Sequence, residues 1–203
     1  NSANKEFKRA IDWGRKSVVS CKQDGDSAFL ILTYSSIGSF YEKLNNYHQA
    51  KIYVDSSIAL AYAFDSTRLR SISYMVLGNI ETYNKNYNKA LEYYQKGLAI
   101  ENRKSGNASS RLSFQRKFAG LYLLLDNLPQ AEQEYKQLIK YAGGDNELKA
   151  DAYMGLSEVY KKQNDYLQAY NALSEAKQLL EEIFNTEKNK TLQDLNIKYE
   201  TEN

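Results

Sequence analysis

Residues 34–57 read YSSIGSFYEKLNNYHQAKIYVDSS, and residues 74–97 read YMVLGNIETYNKNYNKALEYYQKG. At an offset of 40, Tyr34 falls on Tyr74, Ile37 on Leu77, Gly38 on Gly78, Asn46 on Asn86, Tyr47 on Tyr87 and Ala50 on Ala90. The alanine of this pattern recurs along the whole chain, as Ala10, Ala50, Ala90, Ala131 and Ala169, at spacings of 40, 40, 41 and 38 residues. Each alanine follows a large apolar residue by three positions: Phe7, Tyr47, Tyr87, Leu128 and Tyr166. A period of this size is the mark of stacked repeats, in which each unit buries its apolar face only against its neighbours.

Within a unit the apolar residues fall three, four and seven apart, the stripe of an amphipathic helix. The first complete unit runs through Tyr34, Ile37, Gly38, Tyr41, Tyr47, Ala50, Val54 and Ser57, and the fourth through Tyr153, Leu156, Ser157, Tyr160, Tyr166, Ala169, Leu173 and Ala176. Small residues at Gly38, Gly78, Ala119 and Ser157 are expected to face Ala50, Ala90, Ala131 and Ala169, letting two antiparallel helices approach while tyrosines fill the space beside them. Asn46, Asn86, Asn127 and Asp165 precede the second helix of each pair and read as N-caps, each worth about 1 kcal/mol over alanine. Pro129, the single proline, lies in a first helical turn, where its missing N–H costs nothing. Breaks at Asp24-Gly25-Asp26, Asp65-Ser66, Gly106-Asn107 and Gly143-Gly144-Asp145 separate the pairs.

The expectation is an all-α solenoid of nine helices. Residues 1–25 form the second helix of a truncated repeat, and 26–185 hold four helix pairs at about 27–64, 66–105, 108–142 and 145–185. Residues 186–203 form a polar helical connector. Residues 5–22 match only a second helix, so further repeats are expected upstream, and Trp13, aligned with Tyr53, is expected in the core. Beyond residue 185, Leu192, Leu195 and Tyr199 are spaced as a short seam that begins a coiled coil or frays as a terminal helix.

This pattern resembles the tetratricopeptide repeat, with Tyr34, Ile37, Gly38, Tyr41, Ala50 and Ser57 at the signature positions. The period near 40, rather than 34, matches the long-repeat branch, and the third unit departs with Gln115 and Ala119 where an aromatic and a glycine are usual. The resemblance implies a superhelical array whose first helices line a concave groove and hold a protein or peptide ligand. Carried onto this chain, the ligand-contacting positions are Ser35, Met75, Arg116 and Met154; Ser39, Asn79, Gly120 and Glu158; and Lys43, Tyr83, Leu124 and Lys162. Family members that grip a terminal carboxylate use lysine and asparagine there. Serines, Met75 and Val76 stand in those places, so that clamp is not expected. Residues 192–202 are similar to the connector after the repeats in Bacteroidetes-type sensor histidine kinases and related membrane regulators. That similarity implies an extracytoplasmic sensor region on the periplasmic side of a bacterial inner membrane, followed by a transmembrane helix and an output module. A cytoplasmic regulator or an assembly adaptor is the alternative, and a homodimer through the terminal seam is allowed.

Composition excludes several other classes. With 27 basic and 25 acidic residues, net +2, no whole-molecule field draws nucleic acid or a membrane surface. The 18 tyrosines fall mainly at repeat core positions, so packing accounts for them better than base stacking. The single cysteine, Cys21, forms no disulfide within the chain and reads as a small core residue; the single histidine, His48, reads as an exposed helix position. No metal cluster, phosphate cradle or cofactor is implied, and no catalytic constellation is found. Residues 102–125 carry Arg103, Lys104, Arg111, Arg116 and Lys117 without an acidic residue. They read as a solvated face, with an anion-attracting patch as the alternative. The sequons at Asn107 and Asn189 carry weight only in a eukaryotic secretory setting.

Overall fold

In a computed structural model of the chain, residues 2–64, 66, 70–102 and 108–202 are described, with backbone alone at 196 and 200–202. The elements are α1 (Ser2–Asp24), α2 (Ser27–Lys43), α3 (Tyr47–Ala63), α4 (Arg70–Tyr83), α5 (Tyr87–Glu101), α6 (Ala108–Leu124), α7 (Leu128–Tyr141), α8 (Asn146–Lys162) and α9 (Tyr166–Glu202). No strand occurs among the described residues. The fold is all-α, built of helix pairs in a tetratricopeptide-like array. Asp65, Gly106, Asn107, Arg103 and Lys104, named above in breaks, sequon or basic stretch, lie outside the described residues.

Four turns within pairs share one geometry, because the same backbone bonds form in each. At the first, Asn45 N–H donates to Glu42 C=O (2.8 Å) and Asn46 N–H to Tyr41 C=O (2.9 Å). The same two bonds recur at Lys85/Asn86, Asp126/Asn127 and Asn164/Asp165. This is the Schellman closure, with its left-handed residue at Asn45, Lys85, Asp126 and Asn164, whose φ values are 57°, 61°, 59° and 63°. The next residue opens the following helix, its carbonyl accepting from the N–H of the repeat alanine: Asn46 from Ala50, Asn86 from Ala90, Asn127 from Ala131, Asp165 from Ala169. The expected side-chain caps form at Asn46 (to Gln49 N–H, 3.3 Å) and Asp165 (to Gln168 N–H, 3.0 Å). They do not form at Asn86 and Asn127. Asn86 instead donates its amide to the buried Glu81 carboxylate at 2.8 Å.

Two compact units result, residues Asn1–Phe114 and Gln115–Asn203, with α6 beginning in the first and continuing in the second. The core of the first gathers Ile11, Ile37, Tyr41, Ala50, Val54, Val76, Leu77 and Ile80 from α1 to α4. The second buries Leu121, Ala131, Tyr135, Leu138, Ala152, Leu156, Val159 and Ala169. The expected small-on-small contacts hold at Ser157, which donates to Ala169 C=O at 2.9 Å, and at Gly38, where an added Cβ would lie 3.2 Å from Ala50 C=O, though it would collide first with Val54. Gly78 differs: the space above it is taken by the Tyr94 ring, into which a Cβ would collide. Trp13 also differs from expectation. It is 70% exposed, because α1 turns Ile11 and Gly14 towards α2, and the Lys16 ammonium lies over its ring at 4.8 Å.

Candidate binding surface

The first helices of unit one, α2 and α4, lie side by side and bring part of the expected groove lining together. Ser35 must be removed from it. Its residue is 2% exposed and its hydroxyl lies 2.8 Å from that of Ser57 and 2.6 Å from that of Ser73, with Ser57 donating on to Ile31 C=O. Three hydroxyls from three helices satisfy one another in the core, where an unpaired one would cost about 1–3 kcal/mol. Asn79 is half-buried and committed on both sides: Tyr94 O–H donates to its Oδ1 at 2.8 Å, and its Nδ2 donates to Glu42 Oε1 at 3.3 Å. Ser39 and Met75 are half-buried, and Lys43 is exposed with its ammonium 5.3 Å above the Phe7 ring. Tyr83 is exposed and stacks on Tyr47, ring centroids 3.9 Å apart. Tyr47, given to the core by the sequence reading, packs half-buried against it and also makes a two-ring ledge with Tyr83, a pairing that the 36-residue separation hides from local pattern.

In unit two the charged candidates are paired. Arg116 donates to Asp151 at 2.6 Å, Lys162 to Asp126 at 2.7 Å, and Lys161 to Glu158 at 2.9 Å. Such exposed pairs are worth at most about 1 kcal/mol, so a ligand carboxylate or ammonium competes for them cheaply. Met154 and Leu124 are exposed apolar residues on the same helices, and Gly120 is half-buried. The basic stretch is less free than its composition suggests, since Arg111 donates to Glu101 C=O at 2.9 Å and Arg116 is bound to Asp151. Sequence reasoning did not foresee a cleft of about 350 Å³ between α7, α8 and α9, floored by Ile139, Tyr153, Leu156, Tyr160 and Ala172 beside Lys136.

Electrostatics point to structure rather than chemistry. Burial and the nearby Glu42 charge push the Tyr94 hydroxyl up to about 12 against a weaker pull from Thr82, and burial, with the hydrogen bond to Tyr62, raises Tyr74 to about 12. Burial also acts to raise Glu81, but hydrogen bonds from Asn86 and Lys89 outweigh it and hold the carboxyl below its usual range. His48 is exposed and Cys21 is buried. Among the described residues no three His, Cys, Asp or Glu side chains gather as a metal site. Nor, among the same residues, is any helix long and apolar enough to cross a membrane.

No curated protein matches the sequence. Solved structures resemble it in fold. BtubC (BKLC) from P. vanneervenii superposes with a TM-score of 0.70 at 13% identity, over 90% of this chain and 91% of that one. A Pyrococcus horikoshii signal-transduction ATPase with numerous domains, which has a tetratricopeptide repeat sensor, superposes at 0.68 and 24% identity over 89% of this chain and 29% of its own. A Podospora anserina kinesin light chain type protein with nearly identical TPR-like repeats gives 0.60 at 14% identity, covering 90% and 95%. The profile of the tetratricopeptide repeat matches residues 32–64 and 72–104, the stretches that hold α2–α3 and α4–α5. The chain therefore carries tetratricopeptide repeats, and its fold is that of a repeat scaffold.

Proposed function

We propose that this scaffold binds a protein or peptide segment and serves as the extracytoplasmic sensor region of a bacterial two-component sensor histidine kinase or membrane-bound regulator. The observation that carries the reading is α9. It starts as the last repeat's second helix, packed on α8 through Ala169, Ala172 and Ala176, and runs on unbroken to Glu202. A ligand that favours one packing of the helix pairs shifts the population of that state, and α9 carries the change out of the repeats. The likeness to a signalling ATPase with a repeat sensor is in keeping with this. The ligand surface is the Lys43, Met75 and Tyr83 region of α2 and α4, with Met154, Glu158 and Lys162 of α8 and Arg116 of α6 as its counterpart in the second unit.

The test is made in the full-length protein. Deleting residues 186–203 is expected to abolish the response while leaving partner capture intact, and a response that survives the deletion ends the reading. Reading the gene past Asn203 separates the alternative: a cytoplasmic regulator or adaptor lacks the apolar span of about 20 residues and the output module that the sensor requires.

A further inference from the structure

The last helix pair leaves bare a face that the other pairs cover. Aligned on the repeat alanine, Leu173 of α9 occupies the position of Val54 in α3, Tyr94 in α5 and Tyr135 in α7, and Leu180 that of Ala61, Glu101 and Ala142. Those six residues are buried, none more than 7% exposed; Leu173 is 53% and Leu180 45% exposed. At the 173 position the others are covered from two sides: Val54 lies over Gly38 of its own pair and shares a core cluster with Val76, Leu77 and Ile80 of α4; Tyr94 lies over Gly78 of its own pair and meets Phe114 of α6; Tyr135 fills the space over Gly155 of α8. Tyr166, Tyr170 and Phe184 extend the bare face of α9, at 66%, 70% and 65% exposure.

The face has two properties that select its occupant. The first is symmetry: positions 166, 170, 173, 177, 180 and 184 are spaced identically when read from either end. An antiparallel copy centred at residue 175 thus sets Tyr166 beside Phe184 and Tyr170 beside Leu180. It also sets Leu173 against the aliphatic stem of Lys177, whose ammonium is held 3.7 Å from Glu181. The flanking Ser174 and Gln178 are uncharged, and the one like-charged pair near the axis, the two Lys177 ammoniums, is offset by Glu181 of each copy. The second property is area. Three aromatic and two leucine side chains, exposed to this degree, amount to roughly 600 Å², at the upper end of what monomers leave bare. Twice that is about 1,200 Å², the lower bound of a stable specific interface.

We propose that a second copy of this chain covers the face, α9 lying antiparallel on α9 about a two-fold axis at the level of residue 175. The experiment is sedimentation equilibrium of the 203-residue chain across roughly 1 to 200 µM, a range that brackets micromolar association. The mass is expected to rise from 23.3 kDa to twice that. The pair Tyr170→Glu and Leu173→Glu holds it at the monomer value with helical circular dichroism unchanged, while Leu192→Glu with Leu195→Glu leaves the dimer intact. Three results overturn the proposal: a monomer at every concentration, a dimer indifferent to the 170/173 change, or a dimer broken only by the 192/195 change. A monomer whose face is filled only by an added peptide of the α4 sequence, Arg70–Tyr83, overturns it too, because the face then takes a separate amphipathic helix.

Discussion

At the residue scale, the four left-handed turn positions are filled by Asn45, Lys85, Asp126 and Asn164. Asn and Asp tolerate that conformation because their short polar side chains bond locally; a lysine gains no such relief. Lys85→Gly removes a cost of about 1–2 kcal/mol and adds the extra chain entropy of glycine, for a net gain of roughly 0.5–1 kcal/mol. The urea midpoint should rise accordingly, and a fall would show that the lysine stem contributes packing. Tyr94 supplies a pH signature. Its hydroxyl titrates near 12 in the fold and near 10 in the unfolded chain, so between those values the unfolded chain gives up its proton first. Stability is unaffected below about pH 10 and falls as pH rises through that window. Tyr94→Phe loses the bond to Asn79, about 1 kcal/mol at pH 7, yet declines less steeply between pH 10 and 12. Equal slopes in alkaline denaturation would assign the titration elsewhere, Tyr74 first.

At the element scale, the helices were legible in the sequence because the stripe, the turn residues and the breakers agree at every unit. What local pattern missed depends on which elements meet. Trp13 was placed in the core because the 40-residue offset aligns it with Tyr53, which α2 partly covers through Tyr34 and Tyr41; α1 presents Trp13 away from α2. Ser35 was read as groove lining because one position was carried over from unit to unit. Its partners Ser57 and Ser73 sit on two other helices, at separations no helical period reports. The Tyr47–Tyr83 ledge was missed for the same reason. α9 itself joins two unlike halves. Residues 169–183 rest on α8, whereas the side chains described beyond residue 184 are all exposed. A helix segment exposed along its length is marginal. Amide exchange should therefore be faster by orders of magnitude beyond about residue 186 than at Ala169–Leu179, and uniform protection along α9 would mean that the outer half is covered in solution.

At the scale of the whole molecule, fold and function separate. The core cluster of the first unit lies within residues 11–80. A fragment of residues 1–102 gives up the cover that Phe114 provides over Tyr94 and Gly97 and the bond from Arg111 to Glu101 C=O. It should keep its helical spectrum and unfold cooperatively at a lower urea midpoint. A fragment without a transition would place the first unit's stability beyond its own core. The repeat architecture was legible because it is written four times over. The geometry of the candidate surface was legible only in part, since exposure and pairing at Asn79, Arg116 and Lys162 are settled by neighbours 15 to 37 residues away.

One consequence of α9 is mechanical. From Ile183 to Glu202 the helix advances about 28 Å at 1.5 Å per residue, with its base clamped by three alanines against α8. While it stays helical, it is a pointer with one half gripped and the other half exposed. If the stub tilts by only about 10° when the repeats repack, the tip sweeps roughly 5 Å, near the pitch of one helical turn. A shift too small to redraw any contact inside the last pair is thus enough, at the tip, to move a side chain from one neighbour to the next.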